Sequence, residues 1–370
     1  MEYDASTMKR NDQPNFGGAY RGRRIWLTGD TGFKGSWLAF WLRRLGAEVL
    51  GIGLAPDTAE GPFVRAGLEK LIRHENADIR DGAKMAALAK DFAPEVVFHL
   101  AAQALVRRSY ADPVETFDTN VNGTVQVLEA LRQAGNPCAV VVVTSDKCYR
   151  NREADYAYQE DDPLGGHDPY SASKGCAELV AASYRTAFFA PGGQIQLATA
   201  RAGNVIGPGD WAADRIVPDA VRALRADQPL PVRNPRAVRP WQHVLEPLSG
   251  YLRLGQALLQ QGAAVAEAWN FGPEPGSARS VSELAELFCR AWGPGAAWRP
   301  ATAPGQPHEA HLLQLSIQKA TARLDWRPRW DFETAVQRTA AGYRALLAAP
   351  DAAAVQHFMD AEIDAYEKSR

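Results

Sequence analysis

Arg24-Ile-Trp-Leu-Thr-Gly-Asp-Thr-Gly-Phe-Lys-Gly35 decides how this chain folds. Its first half is short and apolar, as a buried strand is, and glycines follow at 29, 32 and 35. A strand that turns through such glycines into a helix can hold a pyrophosphate. Glycine allows the tight turn, and the helix N-terminus offers free N–H groups to the anion. A plain βα connection also uses glycines, so the context has to discriminate. If the turn binds a dinucleotide, Gly29, Gly32, Phe33, Lys34 and Gly35 are the expected contacts. Lys34 would act through its backbone, with its amine toward solvent. Asp30 is the odd residue, because an anion beside a phosphate is unhelpful unless its side chain turns outward or caps the helix.

Outward from this stretch, the pattern alternates. Strands are expected over 24–29, 48–54, 95–100, 139–144 and 194–200, with helices over 32–45, 82–92, 114–134 and 169–189. Strands separated by helices of ten or more residues make βαβ units and a parallel sheet, the α/β doubly wound Rossmann class. Beyond Arg201 the pattern loosens into shorter elements between Pro- and Gly-rich connectors such as Gly207-Pro-Gly209 and Gly272-Pro-Glu-Pro-Gly276. The expected organisation is a flexible tail over 1–23, a dinucleotide domain over 24–200, and a smaller C-terminal lobe over 201–370 interleaved with it. The acid that usually ends the second strand and reads the ribose is missing from Leu54-Ala-Pro-Asp57 or displaced to Asp57. Asp78, at the end of a short expected strand in 77–81, could accept from an adenine amino group while Ile79 packs the ring. With no Arg placed for a 2′-phosphate, NAD is the expected cofactor.

Composition excludes several classes. The 370 residues are 46% hydrophobic and 23% charged, with a net charge of −2, so neither nucleic acid nor a membrane is an expected partner. Four cysteines without metal-ligand spacing read as reduced thiols in a cytoplasmic protein, and no metal site is expected. Nine lysines stand against thirty-two arginines, yet Lys34, Lys147 and Lys174 all fall in motifs, where a titratable cation has a use that Arg lacks.

The chemistry lies in two further stretches. Val140-Val-Val-Val-Thr-Ser-Asp-Lys-Cys-Tyr149 is an apolar strand ending in Thr144, Ser145, Asp146 and Lys147. Ligands of open parallel sheets bind beyond the carboxyl ends of strands. Tyr170-Ser-Ala-Ser-Lys174 sets a phenol and an amine four residues apart on one helix face. A fixed ammonium favours the phenolate, so Lys174 is expected to lower the Tyr170 pKa. These groups supply a base, an acid and a positioned hydroxyl. An exposed Asp146–Lys147 ion pair, and a plain surface pair at 170 and 174, are the structural alternatives.

In this order and spacing, Gly29-x-x-Gly-x-x-Gly35, His99-Leu-Ala-Ala102, Asn120-Val-Asn-Gly-Thr124, Ser145 and Tyr170-x-x-x-Lys174 resemble the extended short-chain dehydrogenase/reductase superfamily, over about 24–344. Within it the chain looks like the CDP-glucose 4,6-dehydratases. That narrower resemblance rests on Thr31-Gly-Phe-Lys-Gly-Ser-Trp37, Thr144-Ser-Asp-Lys-Cys-Tyr149, Asp168–Glu178, Arg201–Gly207 with Gly209-Asp-Trp211, Arg239-Pro-Trp-Gln-His-Val244 and Pro307-His-Glu-Ala-His311. Asp30 departs from the His common there. The resemblance implies bound NAD, with Ala101, Tyr170 and Lys174 also beside it, and CDP-glucose as substrate. It also implies a homodimer or homotetramer. In the implied reaction Tyr170 takes the 4-hydroxyl proton, Ser145 holds that hydroxyl, Asp146 protonates the departing 6-oxygen and Lys147 takes the proton at carbon 5. Related dehydratases carry Glu at the last position, so Lys147 must act as a neutral amine.

Arg215 and Arg239 suit a nucleotide diphosphate, which guanidinium groups grip with two hydrogen bonds. Asn204, Gln103 and His308 are further expected substrate contacts, and Asn120 could equally be structural. Two rivals remain at this level. A 4-epimerase of the same fold needs no acid and base at 146 and 147, and an NAD-sensing protein needs no Ser-Tyr-Lys set.

Overall fold

The computed structural model describes residues 14–189, 192–301 and 312–369. Seven parallel strands form its central sheet: β1 (Arg24–Thr28), β2 (Glu48–Gly53), β3 (Arg73–Asn76), β4 (Val96–His99), β5 (Cys138–Val143), β6 (Ile195–Ala202) and β7 (Ala268–Phe271). Their spatial order is β7-β6-β5-β4-β1-β2-β3. The order reverses direction between β1 and β4, and a doubly wound sheet opens a crevice at that switch point.

Both faces of the sheet are covered, and the strand sequences show why. Ile25 and Leu27 of β1, with Val141 and Val143 of β5, enter one core; Trp26, Val140 and Val142 enter the other. A strand buried on both sides reads as a continuous apolar run rather than an alternation. The first core also receives α1 (Phe33–Arg44), and the second receives α2 (Gly82–Phe92), α3 (Gly123–Ala134) and α4 (Pro169–Tyr184). A separate cluster holds the C-terminal lobe, packing α5 (Ile216–Arg225) against Trp241 and two later helices. The chain past 201 nevertheless returns to the sheet. The largely buried helix α6 (Leu245–Gln261) fills the first core, and β7 extends the edge beside β6.

Several expectations change here. Residues 14–23 are not a loose tail: Tyr20 is fully buried and its hydroxyl donates to the Leu252 carbonyl, while Phe16 meets Trp41 edge-on. The short strand lies at Arg73–Asn76, before 77–81, because β3 pairs with β2 from Leu50 to Gly53. The helix expected over 114–134 is broken by a π turn at Asp118–Asn122, and the one over 169–189 ends in another at Arg185–Phe189. Among the described residues, no helix is long and apolar enough to cross a membrane.

Candidate active site

The crevice beyond β1, β4 and β5 is a cleft of about 940 Å³, lined from the phosphate turn at one end to the C-terminal lobe at the other. The turn is built for close approach. Gly29 sits at φ +77°, and a Cβ there would stand 2.8 Å from the Ala101 backbone nitrogen. A Cβ at Gly35 would stand 1.9 Å from the Gly29 carbonyl oxygen, so α1 can start this near the strand only with glycine. No side chain caps α1 at Gly32, which leaves its first N–H groups for a pyrophosphate. Gly29, Gly32, Phe33, Lys34, Gly35, Asp78, Ile79 and Ala101 all line this end.

Two residues of this turn, Asp30 and Lys34, differ from expectation. Asp30 neither turns outward nor caps α1. It is fully buried over Gly51 and Gly53 of β2, and it accepts from His74 Nδ1 at 2.7 Å. That bond and the negative carboxylate raise the His74 pKa. The Lys34 amine does not face solvent: the side chain runs into the cleft and its Nζ donates to the Tyr251 hydroxyl at 3.3 Å. Asp78 keeps its carboxylate on Arg80, whose Nη2 lies 2.6 Å away, and Ile79 packs into the core under Gly123.

At the reacting end, β5 runs through Thr144 into one turn of 3-10 helix, Asp146–Cys148. Ser145 caps that turn: its Oγ accepts from the Lys147 N–H at 3.2 Å and donates to Asp146 Oδ1 at 2.9 Å. Asp146 is buried, and its Oδ2 has no partner among the described residues. A buried acceptor left unmade is costly, and a substrate hydroxyl is the group that would satisfy it. Gly203, which sequence reasoning passed over, makes the room: a Cβ there would stand 1.8 Å from Asp146 Oδ2. Lys147 lines the cleft beside Asp146, and no ion pair joins the two among the described residues.

Opposite stands α4, capped by Asp168, whose Oδ1 accepts from the Ser171 N–H at 2.9 Å. Tyr170, Lys174 and Glu178 follow at four-residue spacing and are all buried. Contrary to expectation, Tyr170 is pushed up to about 12, because burial disfavours the phenolate more than the Ser145 hydrogen bond and the Arg215 charge favour it. Burial also lowers Lys174, to about 8, and its Nζ lies 3.5 Å from the Val143 carbonyl. Glu178, present in the quoted motif but given no role, is the electrostatic anchor. It takes Arg201 Nη2 at 2.8 Å, Thr199 Oγ1 at 2.7 Å and the Thr144 hydroxyl, tying α4 to the ends of β5 and β6. The spacing to Lys174 could have revealed it.

The other expected residues divide. Asn204, in a left-handed conformation at φ +46°, lines the cleft with Arg215 and Arg239. Arg215 is held by Asp210, 2.9 Å from its Nη1, and Arg239 Nη1 donates to the Val238 carbonyl at 2.9 Å. Gln103 borders the cleft, but its amide is committed inward: Nε2 donates to Thr116 Oγ1 at 2.9 Å and Oε1 accepts from the Leu105 N–H at 2.6 Å. Gln103 thus supports the loop at the edge of the cleft. Asn120, in the π turn, clamps that loop to α4, accepting from the Gln103 N–H and donating to Ser173 Oγ. His99 is neutral and structural, held between Thr28 and Thr124 and lowered by burial to about 3. His308 lies outside the described residues.

A seven-stranded doubly wound sheet with Ser145, Tyr170 and Lys174 at its switch point defines the extended short-chain dehydrogenase/reductase class of epimerases and dehydratases. The match to a sequence profile narrows this: the GDP-mannose 4,6-dehydratase family covers residues 27–339, and the chain belongs to that family. It is 47% identical over 336 residues to the CDP-glucose 4,6-dehydratase of Salmonella typhimurium, spanning 90% of this chain and 93% of that one. Among solved structures, the epimerase Mth375 of Methanothermobacter thermautotrophicus superposes with a TM-score of 0.76 at 26% identity, over 89% of this chain and 94% of that one. MoeE5 in complex with UDP-glucose and NAD gives a TM-score of 0.74 at 26% identity, over 88% and 100%.

Proposed function

We propose that this chain is an NAD-dependent CDP-glucose 4,6-dehydratase, a hydro-lyase that converts CDP-glucose to CDP-4-dehydro-6-deoxyglucose and water for deoxysugar synthesis. The observation that carries the reading is the unpartnered, buried Asp146 Oδ2 beside Lys147, directly after Ser145 and across from Tyr170. An acid and a base at that strand end have no use in simple epimerisation. The identity to the Salmonella enzyme supports the sugar nucleotide.

The uncapped N–H groups of α1, with Gly29, Gly32 and Gly35, would hold the NAD pyrophosphate, and Lys174 would hold the ribose beside Tyr170. NAD, when bound, would supply a hydride acceptor for carbon 4 and the hydride donor for carbon 6, so none would be consumed overall. Ser145 holds the 4-hydroxyl and the Tyr170 phenolate takes its proton. The ketone at carbon 4 acidifies carbon 5, from which the Lys147 amine takes a proton. Asp146 gives its proton to the departing 6-oxygen, which leaves as water. Lys147 then returns its proton to carbon 5. That leaves Tyr170 with one proton too many and Asp146 with one too few. Ser145, which donates to Asp146 Oδ1 at 2.9 Å and hydrogen-bonds with Tyr170, is placed to carry the difference.

Arg215 and Arg239 are the candidates for the diphosphate, and residues 201–370 for most of the substrate lobe. The exposed Val114 and Phe117, ahead of the first π turn, with Leu179 on α4 and Phe188 just beyond it, support a homodimer or homotetramer. The test is incubation with CDP-, dTDP-, GDP- and UDP-glucose, with product mass and stereochemistry followed. The expected result is loss of one water, fastest with CDP-glucose. A 4-epimer of unchanged mass overturns dehydration, and faster turnover of another nucleotide overturns the assigned base.

A further inference from the structure

Lys34 is a cation in the wrong place for its motif. The turn that carries it serves a phosphate through backbone N–H groups, yet its side chain leaves the turn and enters the cleft. There its Nζ rests 3.3 Å from the Tyr251 hydroxyl and 5.7 Å from the centre of that ring. Tyr251 is fully buried on α6 and lies in the field of Tyr170 and Asp146. The charged groups that face the Lys34 ammonium come from four other segments: Lys174 on α4, Arg215 before α5, Asp146 after β5, and Asp210. These same residues frame the place where hydride must pass between substrate and cofactor.

We propose that Lys34, anchored on Tyr251, biases the bound cofactor toward its reduced form. The inference rests on the cofactor reading above and deepens it. The oxidised nicotinamide ring carries a positive charge and the reduced ring carries none. An ammonium in this cleft therefore repels one form and not the other, and hydride removal from carbon 4 relieves that repulsion. Two unit charges a ring's distance apart in a partly desolvated cleft interact by enough to change an affinity ratio about tenfold, or about 1.4 kcal/mol. Burial, with Lys174 and Arg215 adding to it, lowers Lys34 to about 7. The bias is thus present in acid and fades above neutrality, which a permanently charged Arg could not do.

The test is binding without substrate. The Kd values of NAD, NADH and ADP-ribose are measured by titration calorimetry at pH 6 and pH 8.5 for wild type, Lys34→Met and Lys34→Arg. In wild type the ratio of the NAD to the NADH Kd should fall about tenfold from pH 6 to pH 8.5. Lys34→Met should show the low ratio at both values, Lys34→Arg the high one, and ADP-ribose binding, which lacks the ring, should change little. An unchanged ratio and pH dependence in Lys34→Met overturns the proposal. So does an equal loss for NAD, NADH and ADP-ribose, which would mark a plain phosphate contact. A wild-type chain that binds none of the three overturns the cofactor reading itself.

Discussion

Gly203→Ala isolates the acid from everything else in the site. Gly203 does not have a positive φ, so alanine suits the backbone, and the problem lies in what its methyl meets. A Cβ would stand 1.8 Å from Asp146 Oδ2 and 2.1 Å from Cγ, where ordinary contact begins near 3.4 Å. The carboxyl must therefore withdraw by about 1.6 Å, the difference of those two figures. A side-chain end can rotate away at modest cost, so stability should fall by no more than ~1–3 kcal/mol. Catalysis is less tolerant. Misplacement of a reacting group by about 1 Å costs on the order of 10²-fold, so dehydration should slow by ~10²–10³-fold. NAD binding and the oxidation at carbon 4 do not use this carboxyl, and NADH should accumulate in a single turnover. Stopped-flow absorbance of the nicotinamide, together with quenched-flow mass analysis for water loss, separates the two steps. A variant that dehydrates within about threefold of wild type would refute the placement of Asp146 as the acid. A urea midpoint near that of wild type shows that any loss is local.

Other substitutions test the remaining parts. Lys147→Ala should also let NADH build up while abolishing water loss, read in the same assay; full-rate dehydration would remove Lys147 as the base. Glu178→Ala should cost ~3–5 kcal/mol in urea unfolding, since it leaves Arg201 buried and uncompensated, and Glu178→Leu with Arg201→Met should recover most of it. Lys174→Met should abolish turnover yet stabilise the fold at pH 7. Lys174 is lowered from 10.5 to about 8, so the unfolded chain holds more protons across that window and stability rises with pH through it. The penalty is complete below pH 8, and the variant should gain up to about 3 kcal/mol there and nothing above pH 10.5, seen by urea unfolding at several pH values.

What was legible in the chain was what local rules decide. The six Val- and Ala-rich residues of β5, the glycines of the phosphate turn and the four-residue spacing on α4 each have one good structural solution, and they adopt it. What was illegible depended on partners far away in sequence. Asp30 looked misplaced because His74, 44 residues on, reaches it as a hydrogen-bond partner only once β2 and β3 pair. Lys34 looked solvent-facing because its partner Tyr251 is 217 residues away on α6. Gly203 reads as one more connector glycine until β6 brings it against Asp146. The Tyr170 pKa was misjudged for another reason. Charge proximity can be guessed from spacing, whereas desolvation needs the packed surroundings.

The buried face of α4 makes these separate observations one. Going down it, Tyr170 is neutral, Lys174 still carries its charge below pH 8 although burial works against it, and Glu178 is charged and matched by Arg201. Burial thus leaves the cation at the reacting end without an ion-pair partner beside it among the described residues, and places a compensated ion pair two turns away from Tyr170, where Thr144 joins it directly to the strand that ends in Ser145 and Asp146. A phenol at about 12 is a poor base by itself, and ionising it near pH 7 would cost about 7 kcal/mol. Positive charge brought close to it would lower that cost, and Arg215 already acts in that direction. The site therefore depends on charge that it gathers in the cleft rather than on the Tyr170–Lys174 pair alone. On this reading the cations of the cleft, Lys34 among them, are part of the reaction chemistry and more than a landing place for phosphates.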